Sequence, residues 1–194
     1  MTLPATDKHD DRYPEWFVRD NSFLTLEMMQ TFHRPLVELA RRLLGSTGGT
    51  VLDLGCGNGA LLKSIHSAVP NSIPYGIEVD SERARHAQIV LPDFAGNIHR
   101  ENLLTSCEAV WTPGRRFKVA LLMPGHLLSA SPGRLDRLKT RLLTRCEHVV
   151  AYCYQDWLLR YGSLQSLAAA AGLVVNPVFA SPLIATALLA ESEA

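Results

Sequence analysis

The sequence predicts an α/β fold: a seven-stranded sheet of five parallel strands with helices between them, completed by a C-terminal antiparallel hairpin. Three observations predict it. Val51-Leu52-Asp53-Leu54 reads as a buried strand that runs into three alternate glycines, Gly55, Gly57 and Gly59, and then into the helically spaced Ala60-Leu61-Leu62-Lys63-Ser64-Ile65. Apolar strand-like runs and helix-period segments then alternate as far as Ala171. Finally, two strand-like runs at 173–179 and 183–189 are joined only by Ala180-Ser181-Pro182, too short a link for a parallel crossover.

Each element has a local reason. Residues 1–15 are polar with two prolines and read as a loose arm. From 22 to 44, Phe23, Leu26, Met29, Leu36, Leu39, Ala40 and Leu43 recur at helical spacing, with Asn21 or Ser22 as the start cap and Gly45 as the stop. Pro35 lies inside this pattern, which predicts two helices or one kinked there. Residues 1–47 thus form an arm and helical lid, and 48–194 the main domain, within one structural unit. The strands are predicted at 50–54, 73–79, 97–100, 118–123 and 147–154. Helices are predicted at 59–68, 81–91, 134–145 and 163–171, the last closed by Gly172.

Bulk properties set limits. A chain of 194 residues fits one domain with a real core. Lys+Arg and Asp+Glu balance at 19 each, which argues against DNA or RNA as the main partner. No apolar run is long enough to span a membrane, and the N-terminus has no signal-peptide core. The cysteines Cys56, Cys107, Cys146 and Cys153 form no C-x-x-C pair and read as free thiols in a reducing cytoplasm. The histidines show no metal-ligand spacing, so no metal is expected. The oligomeric state is open, with a homodimer among the options.

The glycine turn carries the chemistry. Each glycine removes a Cβ and permits φ > 0, so a ligand can lie against bare main chain at a helix N-terminus. Strand, glycine turn and helix make a nucleotide-binding unit in outline. Gly55, Gly57 and Ala60 also meet the G-x-G-x-x-G/A dinucleotide pattern, so the glycines alone do not decide which nucleotide. The discriminators are Asp53, two residues before the first glycine, and Gly59, two after the second. Asp53-x-Gly55-x-Gly57-x-Gly59 resembles the first motif of the class I S-adenosylmethionine-dependent methyltransferases, a Rossmann-like fold that ends in an antiparallel hairpin. The resemblance covers about residues 48–190 and implies S-adenosylmethionine as cofactor.

It also implies a set of contacts. Cys56 and Asn58 belong to the turn with its glycines. Glu78, 23 residues after Gly55 in Tyr75-Gly76-Ile77-Glu78-Val79-Asp80, falls where the family binds the ribose hydroxyls, with Val79 beside it. Asp80 is the rival acceptor, better suited to cap a helix from Ser81. Asp53 either orients the turn by accepting N–H groups or holds the methionine ammonium. After the third strand the family carries an acidic residue for adenine. This chain has Glu101-Asn102, where Asn102 aligns with the acid and the Leu103 N–H is a second adenine contact. Met123 ends the fourth strand on the cofactor side.

The acceptor side departs from the family. Met123-Pro124-Gly125-His126 stands in place of an Asn- or Asp-Pro-Pro-Tyr run, which counts against amide or exocyclic-nitrogen targets and favours small molecules. His126 is the first candidate general base, with a plain structural histidine as the alternative. His33, in the helical segment that roofs the pocket in small-molecule methyltransferases, is the second. Tyr13, Trp16 and Phe32 with His33 and His126 form the candidate substrate contacts, although Trp16, Phe17 and Phe32 would serve equally to anchor the arm. Tyr154, Asp156 or Trp157 border the site only as guesses.

The expected function is methyl transfer from S-adenosylmethionine to a small-molecule acceptor, a biosynthetic intermediate. The rivals are a protein or RNA methyltransferase and a non-catalytic cofactor-binding regulator. The first rival needs the basic stripe Arg115, Arg116, Arg134, Arg137, Lys139, Arg141 and Arg145 at the active-site mouth, where it is not expected. The second is favoured by a cavity plugged by Trp16 or Phe32.

Overall fold

The computed structural model describes Phe23, residues 25–105 and 108–177, and residues 184–188. Tyr13, Trp16, Phe17, the caps proposed at Asn21 and Ser22, Cys107 and the hairpin link all lie outside the described residues.

The chain opens with α1 (Leu26–Leu44), capped by the Thr25 side chain, which accepts from the Met28 N–H. α1 is one helix of 19 residues that runs through Pro35. It forgoes one intrahelical bond there and is held by the buried stripe Met29, His33, Leu36, Leu39, Ala40 and Leu44. Then follow β1 (Gly49–Leu54), α2 (Ala60–Ala68), β2 (Ser72–Glu78) and α3 (Ser81–Val90). A 3₁₀ turn at Pro92–Asn97 leads to β3 (Ile98–Arg100). β4 (Phe117–Leu122) runs into a second 3₁₀ turn, Pro124–Leu127, before α4 (Pro132–Arg145) and β5 (Cys146–Tyr152). The chain continues as α5 (Gln155–Tyr161), α6 (Leu164–Ala170), β6 (Val174–Pro177) and β7 (Ile184–Leu188). α5 and both 3₁₀ turns are absent from the sequence reading. The predicted strand 147–154 stops at Tyr152, because Tyr154 turns the chain into α5.

The sheet order is β3-β2-β1-β4-β5-β7-β6. β3, β2, β1, β4 and β5 are parallel, β7 pairs antiparallel with β5, and β6 pairs antiparallel with β7. Strand order reverses between β1 and β4, and ligands in open α/β sheets bind beyond the carboxyl ends at such a reversal.

The pleat sorts the core onto two faces. Leu52, Leu54, Ala120, Leu122, Val149 and Ala151 pack with α4 and α6. Val51, Val119, Leu121 and Val150 pack with α1, α2 and α3. By the same alternation Asp53 on β1 and Tyr152 on β5 share this second face with α1. α1 runs across this face, with Leu44 near the start of β1 and β4 and His33 at the end where the glycine turn emerges.

Candidate active site

A cavity of about 600 Å³ opens beyond the carboxyl ends of β1, β2 and β4, within the size range of small-molecule sites (roughly 300–1,000 Å³). Of the residues singled out in the sequence, Asp53, Gly55, Cys56, Gly57, Glu78, Val79, Asn102, Leu103, Met123, His126 and His33 line it. Asn58 and Gly59 do not. Asn58 is fully buried and its side-chain oxygen accepts the Ala60 N–H. Gly59, at φ 82°, is the N-cap position of α2, where a Cβ would meet Ala87 at 2.9 Å. Phe32 also misses the cavity wall and stacks with Phe23 and Tyr154, ring centroids 5.6 and 4.9 Å away. Among the described residues the aromatic group thus anchors α1 and leaves the cavity unplugged.

The turn is held from β2. The N–H groups of Gly55 and Cys56 both donate to the Ile77 carbonyl, at 2.9 Å each. The Gly57 N–H donates to Glu78 Oε2 at 2.8 Å, and the Asp80 N–H to Glu78 Oε1 at 2.9 Å. Each Glu78 oxygen has further lone-pair capacity for donors in the cavity. Asp80 caps α3, accepting the N–H groups of Glu82 and Arg83, which keeps its carboxyl below the ordinary range; it also borders the cavity.

Asp53 accepts no N–H of the turn. It is 1% exposed, and its Oδ1 is buried with no partner among the described residues. Burial, and then the neighbouring Glu78 charge, push its pKa up to about 7. Tyr152 is pushed well above the ordinary tyrosine range, first by burial and then by Asp53.

His33 enters from α1. It is 4% exposed and its Nδ1 has no partner. Burial lowers its pKa to about 4, so the imidazole is neutral at pH 7. His126 sits differently. Its ring lies on the bare backbone of Gly55, where a Cβ would fall 2.5 Å from Cε1. Burial lowers its pKa, partly offset by the Leu54 backbone and by Glu78.

The loop after β3 brings two side chains to the cavity, Glu101 and Asn102. Asn102 Oδ1 accepts the Leu104 N–H at 2.8 Å, an Asx turn that engages the oxygen aligned with the family's acid. The neighbouring Glu101 lines the cavity, and its Oε2 is buried without a partner. The loop thus presents an unengaged buried carboxylate oxygen on Glu101 beside an Asn102 oxygen that already accepts one backbone N–H. The sequence held the signal, since Glu101 is the acidic member of the pair. Tyr152 was also legible, from the period-two alternation of β5. Tyr154 lines the cavity too, whereas Trp157 packs on Gly125. Arg83, a turn into α3, had no sequence signal beyond its helix.

The basic stripe is divided. Arg115 lies over the Tyr75 ring at 4.8 Å and bonds the Ala109 and Val110 carbonyls. Arg145 bonds the Arg115 carbonyl. Arg134, Arg137 and Arg141 line a separate depression of about 240 Å³, which shares Leu103 and Leu104 with the main cavity. None of the stripe lines the main cavity. Among the described residues no group of side chains has the makings of a metal site, and no helix is long and apolar enough to cross a membrane. Cys56, Cys146 and Cys153 are free thiols.

The donor set fits the implied cofactor. Among the described residues Asp53, Glu78, Asp80 and Glu101 present carboxylates to the wall, with Arg83 its one guanidinium. Two of these carboxylates hold an unpartnered buried oxygen. Such a wall suits a ligand rich in donors and positive charge.

No family model matches the sequence, and none of the curated proteins does. Solved structures do share its architecture. The N-methyltransferase NodS from Bradyrhizobium japonicum WM9 matches at TM-score 0.57 and 14% identity, over 88% of this chain and 97% of that one. An O-methyltransferase family protein from Burkholderia thailandensis matches at 0.52 and 15%, over 86% and 59%. The ribosomal protein L11 methylase from Lactobacillus delbrueckii subsp. bulgaricus matches at 0.50 and 18%, over 80% and 77%. Some neighbours are much longer, and the chain spans 49% of Streptomyces venezuelae DesVI. At these identities the likeness is one of fold, and the fold is that of the class I S-adenosylmethionine-dependent methyltransferases.

Proposed function

We propose that this protein is an S-adenosylmethionine-dependent methyltransferase acting on a small-molecule acceptor, a biosynthetic intermediate in the cytoplasm. The observation that carries the reading is the carboxylate-lined cavity at the strand-order reversal, with the bare glycine turn on one side and α1 on the other. Asp53 would receive the methionine ammonium, Glu78 the ribose hydroxyls, and Glu101 the adenine amino group, with Val79, Leu103 and Met123 packing around the nucleoside.

The bound cofactor supplies an electrophilic methyl on a sulfonium with a neutral leaving group. The chain then has only to align an acceptor lone pair with that methyl, exclude water and receive a proton where the acceptor is a hydroxyl. α1, as a lid, does the excluding. His33 suits the proton-accepting role because it is buried, neutral at pH 7 and has an unpartnered Nδ1. His126, whose ring lies against Gly55 of the turn, is the second candidate.

Two observations bear on the rival readings. The arginine stripe stays off the main cavity, which disfavours an RNA acceptor. Phe32 stays off the cavity wall, so that residue does not plug the site as the regulator reading would have it, while Trp16 lies outside the described residues. A fold shared at similar scores by N-, O- and protein-directed enzymes does not choose the acceptor atom.

The test is calorimetric titration with S-adenosylmethionine and S-adenosylhomocysteine, with NADH as control, followed by a methyl-transfer screen over small hydroxyl and amine acceptors. Binding of both sulfur nucleotides and not of NADH is expected. A folded protein that binds neither overturns the reading.

A further inference from the structure

The second depression, about 240 Å³, is given no task by the reaction above. Arg134, Arg137 and Arg141 reach it from one face of α4, with Glu108 opposite and Leu103, Leu104 and Leu138 as its apolar side. Three guanidiniums against one carboxylate leave two positive charges in excess. Arg141 pairs with Glu108. The side chains of Arg134 and Arg137 have no hydrogen bond or ion pair among the described residues. Asp136 and Lys139 of the same helix do not line the depression, and Lys139 lies toward Gly172, its Nζ 3.5 Å from where a Cβ would stand.

The helix makes this charge costly. Arg134 stands in the first turn of α4, no acidic residue accompanies it there, and the Ser131 side chain makes no capping bond. A cation at a helix N-terminus opposes the helix dipole, and like charges three or four residues apart on one face repel. Both spacings occur here, between Arg134 and Arg137 and between Arg137 and Arg141. An anion among the three removes both penalties. Arg115 and Arg145, elsewhere on the stripe, are tied to backbone carbonyls, which breaks it as a track for a nucleic-acid backbone. The concavity instead suits one compact anionic group.

We propose that the depression binds a phosphate group, free or carried on a small molecule, and that its occupancy tightens the cofactor cavity. A phosphate monoester bears about −1.5 to −2 charges near pH 7, which matches the excess, and guanidinium forks take its oxygens in pairs. A carboxylate would leave one charge uncompensated. The leucines suit an organic body beside the phosphate. The link to the cofactor is the turn at 102–105. The Asn102 carbonyl accepts the Thr105 N–H at 3.1 Å, and its Oδ1 accepts the Leu104 N–H at 2.8 Å. Asn102, Leu103 and Leu104 line the main cavity, while Leu103, Leu104 and Thr105 line the depression. The Arg141–Glu108 pair ties α4 to the chain just after this turn, but Glu108 is 76% exposed and such a pair holds weakly. A phosphate bridging α4 and the turn fixes Leu103 before a nucleoside arrives, so less ordering opposes cofactor binding. This last step rests on the methyltransferase reading; the phosphate site does not.

The experiment compares the full chain with the double variant Arg134→Gln/Arg137→Gln. Both residues are exposed, so the variant should keep the wild-type circular dichroism. Calorimetry with inorganic phosphate, phenyl phosphate and phenol, at constant ionic strength made up with chloride, should show one saturable site for the phosphates and none for phenol. Tighter binding of phenyl phosphate supports an organic phosphate as the ligand; equal binding of the two supports free phosphate. The double variant should lose roughly tenfold or more in phosphate affinity with two charge-assisted partners gone. Phosphate binding that never saturates, or that the variant retains in full, is a diffuse ion atmosphere and overturns the inference. Saturating phenyl phosphate should tighten S-adenosylhomocysteine binding several-fold in the wild type and not in the variant, and by linkage the reverse titration should return the same factor. An S-adenosylhomocysteine affinity that phosphate leaves unchanged overturns the coupling. Absence of S-adenosylhomocysteine binding beside intact phosphate binding overturns the methyltransferase reading and leaves the phosphate site standing.

Discussion

Replacing His33 by leucine should change how stability responds to acid. In the folded chain the imidazole keeps an unpartnered Nδ1, and burial lowers its pKa from an ordinary 6.5 to about 4. Unfolded chains take up this proton below pH 6.5, while the folded one resists until about pH 4. His33 therefore leaves stability untouched above pH 6.5 and removes it progressively as pH falls toward 4. At about 1.4 kcal/mol per pH unit the loss comes to roughly 3 kcal/mol. Asp53 acts in the opposite sense. Its folded pKa is raised to about 7, so its contribution is fully present below the unfolded value near 3.8 and is lost as pH rises through 7. That term is of similar size, about 4 kcal/mol. The two oppose each other between pH 4 and 6.5 and leave a shallow wild-type profile. His33→Leu removes one of them. Urea unfolding at half-unit steps from pH 4 to 8 should show the variant gaining roughly 3 kcal/mol on the wild type between pH 7.5 and 4. With a slope of about 2 kcal/mol per molar urea, that is a relative shift of roughly 1.5 M in the midpoint. The other carboxylates titrate alike in both chains and cancel in the difference. Parallel profiles over the whole range would refute a buried, neutral His33.

Three further outcomes follow from the turn and its partners. Gly57 sits at φ 55° and donates its N–H to Glu78, so Gly57→Val strains the turn by about 1–3 kcal/mol; circular dichroism should show a folded chain that has lost cofactor affinity, and retained affinity would sink the site assignment. Gly55→Ala puts a Cβ 2.5 Å from the His126 ring at φ 105°, so the ring must leave; adding His126→Ala should recover the steric part of the lost stability, and strictly additive losses would show that the contact is not tight. Glu78→Gln should weaken cofactor binding by roughly ten- to a hundredfold through its charge-assisted bonds. Asp80→Ala should instead fray α3, so an equal affinity loss in both variants would mean that Asp80 rather than Glu78 takes the ribose.

What could be read from the sequence depended on how local its cause was. The parallel strands and their helices follow from apolar periodicity within about ten residues, and the Asp80 cap follows from its place before Ser81. Elements set by distant packing were missed. α1 continues through Pro35 because six buried residues hold it to the sheet, an effect that outweighs the proline's local preference. α5 escaped because its seven residues carry no fully buried face. In the site, the glycines and Glu78 were visible from spacing. Glu101 against Asn102 turned on which side chain the loop uses for its own backbone, and only the Asx bond to Leu104 decides that.

The glycine turn also changes what Asp53 means. Had the carboxylate been needed to fold the turn, its presence in the motif would say nothing about a ligand. Here Ile77 and Glu78 already accept the N–H groups of Gly55, Cys56 and Gly57. Asp53 is left with a buried oxygen that has no partner among the described residues, beside a second carboxylate, in a place where an ionised group is costly. An apolar residue there would make the empty protein more stable. A chain that keeps the charge keeps it for something that enters the cavity, and a cation entering there relieves the repulsion among the wall's carboxylates. Binding should therefore stabilise the fold beyond what contact area alone supplies, most strongly above the pH at which Asp53 ionises.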